Sequence, residues 1–218
     1  MMKKLQKKVI FYGVSIDIKQ EENKGLIYDM FSWAFKVFVR DQASQEFLKN
    51  LVIESKLIWD PVFYDAWELE KKNSCIKSLQ SSDFQIEDIQ DIDFRWKIVG
   101  LALRSWYFWE RDQNLFVRNF INYLLKAEVK KILLIPMSFH PTDYEANDRY
   151  FLEQFIQERV ELAWVTMQTV YEVFKKKKMD ICFAMRLHSI ILSHIYEIPY
   201  IALSYSKKTD ETIKKLSN

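Results

Sequence analysis

Asp180-Ile-Cys-Phe-Ala-Met-Arg-Leu-His-Ser-Ile-Ile-Leu-Ser-His-Ile-Tyr-Glu-Ile-Pro-Tyr-Ile-Ala-Leu-Ser204 sets two short apolar runs on either side of a helical stretch. Asp180–Ala184 and Tyr200–Ser204 are nearly continuous in apolar residues, the pattern of strands buried on both faces. Leu187–Tyr196 between them has helical length. A membrane span from Leu187 to Ser206 is the competing reading, but it would hold Glu197 at its middle, two histidines and Pro199. A central acid costs about 2.5–3.5 kcal/mol on insertion scales. The stretch therefore reads as strand, helix, strand in a parallel α/β sheet.

The same alternation runs upstream. Strand Lys97–Leu103 precedes helix Gln113–Lys126, whose Val117, Phe120, Ile121 and Leu124 keep i, i+3, i+4, i+7 spacing. Strand Lys131–Ile135 precedes helix Glu145–Arg159, strand Glu161–Val165 precedes helix Met167–Lys175, and a terminal helix starts near Asp210. Five strands separated by helices predict a doubly wound parallel sheet. Earlier still, Val9–Tyr12, Lys36–Val39 and Lys56–Trp59 read as strands, with helix Gln42–Leu51 after the second. Glu68–Asp93 is charged and polar and reads as a linker between two domains. The domains are then 1–67 and 94–218, joined by 68–93.

Composition narrows the chemistry. The chain has 218 residues, 49% hydrophobic and 28% charged, with a net charge of +2, which disfavours disorder and a supercharged nucleic-acid binder. It has three glycines, where average usage would give about 15. Neither G-x-G-x-x-G nor a P-loop can be built from Gly13, Gly25 and Gly100. A phosphate must then be held by side chains and helix starts. Two isolated cysteines, Cys75 and Cys182, make neither a disulfide framework nor a zinc site, and a reduced cytoplasmic compartment fits them. Lys3, Lys4, Lys7 and Lys8 before Val9-Ile-Phe-Tyr-Gly13 imitate a signal peptide, but the apolar run is short and Asp17 follows.

In open parallel sheets ligands collect at the carboxyl ends of the strands. The residues leaving those ends are Arg104; Ser138, His140 and Asp143; Thr166 and Gln168; Arg186 and His188; Ser204 and Tyr205. Two of eight arginines and two of three histidines fall on one edge. Arginine presents a fork suited to carboxylate and phosphate, and His188 stands in the first turn of a helix, where an anion is favoured. The bland readings stand beside this one. His188 can be a structural donor, either arginine an ion-pair partner, and His140 with Asp143 a polar loop in which Asp143 makes the turn.

Ala184-Met-Arg-Leu-His-Ser189 followed by Ile198-Pro-Tyr-Ile-Ala-Leu-Ser-Tyr205 resembles the signature of the polysaccharide pyruvyl transferase family. So do Val39-Arg-Asp-Gln-Ala-Ser44 with Leu48 (R-D-x-x-S), Asp60-Pro-Val-Phe63 (D-P-x-F) and Gly100-Leu-Ala-Leu-Arg-Ser-Trp106, as does the loop Ile135-Pro-Met-Ser-Phe-His-Pro-Thr-Asp143, all in family order. The resemblance implies a GT-B-like α/β fold: a doubly wound C-terminal domain and a partial N-terminal Rossmann-like domain that lacks its opening βα units. It also implies transfer of pyruvate from phosphoenolpyruvate to a sugar, as a ketal, with no cofactor beyond that donor. Carried over by position, Arg104 and Arg186 would bind the donor's carboxylate and phosphate, and His188 would be acid/base or phosphate ligand. Leu187, His140, Asp143, Ser204, Tyr205, Lys208, Arg40 and Asp60 are the candidate substrate-binding residues.

The acceptor would be a glycan or a lipid-linked saccharide, with at most peripheral membrane contact. Trp106-Tyr-Phe-Trp109 could stack on a sugar or pack into a loop. Lys175–Lys178 could touch an anionic membrane or simply solvate a helix C-terminus. Arg40 and Asp41 could face a ligand or cap helix Gln42–Leu51. The rival functions are a nucleotide-sugar GT-B glycosyltransferase and a non-catalytic remnant of the family.

Overall fold

The computed structural model describes residues 7–16, 24–58, 61, 74–105, 112–140, 142–143, 147–163, 166 and 169–217. Two compact units divide between Glu68 and Leu69.

The first unit carries a parallel three-stranded sheet in the order β1 (Ile10–Val14), β2 (Lys36–Val39), β3 (Lys56–Leu57). Helix α1 (Lys24–Phe31) connects β1 to β2 and α2 (Gln42–Asn50) connects β2 to β3. Helix α1 was not among the expected elements. Phe11, Val37 and Val39 point to one face and pack with Phe31, Leu48 and Ile53. Asp41 caps α2, its Oδ1 accepting from the Ser44 N–H at 2.8 Å and the Ser44 hydroxyl at 2.6 Å. The Ser44 Oγ in turn accepts the Ile16 N–H at 2.8 Å. The R-D-x-x-S segment thus fastens the end of β1 to the start of α2. Gly13 has φ +68, and a Cβ there would collide with the Pro61 ring, whose Cδ lies 2.8 Å from that position. The register irregularity within β1, between Phe11 and Val14, needs glycine for both reasons.

The second unit is a parallel six-stranded sheet in the order β4 (Cys75–Gln80), β9 (Tyr200–Ser204), β8 (Ile181–Ala184), β5 (Ile98–Ala102), β6 (Lys131–Leu134), β7 (Val160–Leu162). Helices α3 (Gln113–Lys126) and α4 (Asp148–Glu153) cover one face with a 3-10 turn at Ile86–Ile89. There Val99, Leu101, Phe183 and Ile201 meet Phe84, Phe94, Phe120 and Leu152. Helices α5 (Val170–Lys175), α6 (Leu187–Ile195) and α7 (Lys207–Ser217) belong to the opposite face. On that side the strands carry Gly100, Ala102, Ala184 and Ala202, small residues that let α6 lie close to the sheet. Cys182 sits there fully buried, its thiol pushed up to about 12 by burial. The expected doubly wound sheet is present.

The linker expected at 68–93 is corrected in part. Cys75–Gln80 is a sixth strand, hydrogen-bonded to β9, and Phe84 and Ile89 belong to the core. Helix α4 is also shorter than expected, because the chain turns after Glu153 and Arg159 takes φ 62. Helix α7 starts at Lys207 rather than near Asp210.

Glycine scarcity leaves a mark on the helix ends. Four helices close in the Schellman pattern, for example α2, where Ile53 N–H reaches Leu48 C=O at 2.9 Å and Val52 N–H reaches Lys49 C=O at 3.0 Å. The left-handed positions are filled by Val52 (φ 60), Glu128 (φ 58), Lys177 (φ 44) and Glu197 (φ 51). A side chain in that conformation costs roughly 1–2 kcal/mol, and a β-branched one suits it least. Val52 is 93% exposed, so it loses no packing when trimmed. Val52→Gly is expected to stabilise the first unit by about 1 kcal/mol after the greater chain entropy of glycine is subtracted. Urea unfolding with unchanged m-value and a raised midpoint is the expected result; no gain would disprove the strain at Val52.

Candidate functional site

From β5 the chain steps outward through β6 to β7, then returns to β8 on the other flank of β5 and steps on to β9. The direction of winding therefore reverses between β5 and β8, and such a reversal opens a crevice outside the carboxyl ends of those two strands. Arg104 follows β5 and Arg186 follows β8. The sequence placed both on one strand edge; the strand order puts them on the two neighbouring strands at the reversal.

Arg186 is the residue before α6, and its carbonyl accepts from Ser189 N–H at 2.9 Å, Ile190 N–H at 3.1 Å and the Ser189 hydroxyl at 2.6 Å. Its guanidinium forks onto Asp148, Nε donating to Oδ2 at 2.9 Å and Nη2 to Oδ1. Asp148 is 1% exposed and its Oδ2 also accepts the Met137 N–H at 3.1 Å. Burial raises the Asp148 carboxyl above its ordinary value, against the opposing pull of Arg186, the Met137 N–H and the Arg104 charge. Arg104 donates from Nε to Ser105 C=O at 3.2 Å, and its guanidinium lies 5.2 Å from the Tyr205 ring centroid, with Nη1 3.5 Å from the phenol oxygen. Arg104, Arg186, Asp148 and Tyr205 thus form one cluster drawn from the ends of β5, β8 and β9 and the start of α4.

The other expected residues divide. Leu187 and His188 are the first two residues of α6, whose start has no side-chain cap, and the His188 side chain is exposed. His140 Nδ1 accepts the Asp143 N–H at 2.8 Å, which ties the two residues into one turn. Ser204 is buried and its hydroxyl donates to Ser206 C=O at 3.3 Å, inside its own turn. Arg40 follows β2 in the first unit, where its N–H donates to Val14 C=O at 3.0 Å. Asp60, Gln168, Trp106–Trp109 and the Lys208 side chain lie outside the described residues.

Asp148 was missed in the sequence. An acid in the first turn of an expected helix from Glu145 has an ordinary explanation in the helix dipole, and nothing marked it as buried. The helix in fact starts one residue before Asp148, at the cap Asn147, which accepts the Arg149 N–H at 3.0 Å and donates to His140 C=O at 2.9 Å. Lys175–Lys178 follow the bland reading more closely: all four are exposed, Lys176 pairing with the half-buried Glu172 at 3.0 Å and Lys177 standing 3.8 Å from the half-buried Glu197. No helix among the described residues is long and apolar enough to cross a membrane.

Chemically, the cluster offers two guanidinium groups and one carboxylate, a net positive edge that suits a small anion. The family model of the polysaccharide pyruvyl transferases matches residues 2–207. No curated protein and no solved structure matches the chain. With an α/β fold of parallel sheets flanked by helices, as the GT-B-like expectation required, and a match across nearly its whole length, the chain belongs to the polysaccharide pyruvyl transferase family and is a transferase.

Proposed function

We propose that the protein transfers the pyruvyl group of phosphoenolpyruvate onto two hydroxyls of a saccharide, forming a ketal and releasing phosphate. The observation that carries this reading is the pair Arg104 and Arg186 at the reversal between β5 and β8. The donor bears a carboxylate and a phosphate on one carbon, and two guanidinium forks on neighbouring strand ends match two anionic groups better than one. The scarcity of glycine supports a donor held by side chains, since the backbone cradles of nucleotide sites are not available in this sequence.

In the proposed reaction the methylene carbon of the donor takes a proton, which makes the adjacent carbon electrophilic. One sugar hydroxyl attacks that carbon, the bond to the phosphate oxygen breaks, and a second hydroxyl closes the ring. Of the two hydroxyl protons released, one replaces the proton given to the methyl group and the other leaves with phosphate. The arginines stabilise charge on the leaving phosphate and hold the carboxylate. His188, exposed at the start of α6, is the proposed proton carrier. We place the reaction in the cytoplasm, with a glycan or lipid-linked saccharide as acceptor and no further cofactor.

The test uses the purified full chain with phosphoenolpyruvate and a pool of saccharide acceptors. Acceptor-dependent phosphate release, with a product gaining the mass of pyruvate less one water, is the expected result. Thermal stabilisation by nucleotide sugars and none by phosphoenolpyruvate would overturn the reading in favour of a glycosyltransferase.

A further inference from the structure

We infer that Asp148 is a positioning residue of this site: it fixes the guanidinium of Arg186 in one orientation before the donor arrives. The inference rests on the donor reading just given.

The geometry is that of a clamp. The carboxylate takes Nε and Nη2 of Arg186, which leaves Nη1 and the outer hydrogen of Nη2 for a ligand. Asp148 itself cannot turn easily. Oδ2 is shared with the Met137 N–H at 3.1 Å, the Asp148 N–H donates to Ser138 C=O at 3.1 Å, and Asn147 beside it is tied to His140 C=O at 2.9 Å. Both ends of Arg186 are held as well, the backbone by the first turn of α6 and the side chain by the acid.

Stability alone does not account for this pair. A carboxylate 1% exposed carries a large desolvation cost, visible in the upward displacement of its titration, and an apolar pair of similar volume is often as stable or more so. The pair lies at the carboxyl end of β8, beside the winding reversal, and the Arg186 side chain keeps 16% of its surface exposed. Nε and Nη2 are bound, and the side chain as a whole still reaches solvent. A long side chain loses rotamer freedom on being fixed. Asp148 makes that loss part of folding rather than of donor binding.

The experiment is isothermal titration and steady-state kinetics on the full chain. Asp148→Asn keeps the shape but turns an amide toward the guanidinium. It is expected to weaken phosphoenolpyruvate binding and raise KM about tenfold, with kcat changed less than threefold. In an Arg186→Gln background, where no guanidinium is left to orient, the same change is expected to add less than a twofold further loss. Unchanged affinity in Asp148→Asn, or an undiminished loss in the Arg186→Gln background, would overturn the inference. If Asp148→Asn does not fold, the wild-type chain still decides: the Arg186 Nε–H resonance, assigned by Arg186→Lys, is expected to be sharp and slowly exchanging without ligand, and a broadened, rapidly exchanging one overturns the clamp. Titration with inorganic phosphate separates the two readings. A wild type that binds phosphate but not phosphoenolpyruvate removes the donor assignment, while the coupling of Asp148 to Arg186 is still read on phosphate. A wild type that binds neither anion overturns both.

Discussion

Arg186→Lys and Arg104→Lys are each expected to lower kcat/KM for phosphoenolpyruvate by about 10²–10³, the usual cost of losing one charge-stabilising donor group. Lysine keeps the charge at both positions, so the size of the loss reports the fork rather than the field. Arg186→Lys leaves a cation beside Asp148, and the fold is expected to hold, with little change in Tm. Arg186→Ala is the less informative variant. It strands a carboxylate that is 1% exposed, and a buried charge without its partner costs about 3–5 kcal/mol. Arg104 touches the Ser105 carbonyl and the Tyr205 ring, so Arg104→Lys separates the guanidinium's stacking from its charge. If either lysine variant retained wild-type kcat/KM, bidentate recognition of the donor at that position would be wrong.

The two arginines could be found from the sequence because they follow the most legible strands. Ile98–Ala102 and Ile181–Ala184 are buried on both faces, so their apolar runs are continuous and their ends sharp. What lies at the sheet's margin was hidden. In β4 the positions alternate between half-buried and exposed, as befits an edge strand, and Lys77, Ser78 and Gln80 gave it the look of a linker. Its neighbours Phe84 and Ile89 are fully in the core, but they stand apart in polar sequence with no period to join them.

Periodicity alone placed the helix ends to within a residue, at Leu51, Lys126, Lys175 and Tyr196 where the structure has Asn50, Lys126, Lys175 and Ile195. The usual glycine after a helix is replaced by Val52, Glu128, Lys177 and Glu197, so the strongest sequence mark of a C-terminus was missing at four places. The scarcity that ruled out a backbone phosphate cradle thus also removed the punctuation of the helices. Asp148 was lost at a helix start, where that mark plays no part. Read inside a helix from Glu145 it is a surface acid; placed directly after the cap Asn147 it reaches Arg186. Which strands neighbour β5 could not be read at all from local pattern, and that order is what puts Arg104 and Arg186 after neighbouring strands rather than far apart on a long edge.

His188→Gln is expected to lower kcat by about 10²–10⁴, the range for losing a positioned general acid, with KM for phosphoenolpyruvate changed little. His188 is exposed at the second position of α6, and its side chain is not needed by the core, so the variant is expected to fold and to melt within a few degrees of the wild type. A proton carrier leaves a further trace. The proton it delivers ends in the methyl group of the ketal, so reaction in deuterium oxide is expected to place one deuterium there, at a rate that falls with kcat in the variant. A phosphate ligand at this position behaves differently: His188→Gln would then raise KM and leave kcat nearly unchanged. Seeing that pattern would assign His188 to donor binding and require the proton to come from another group.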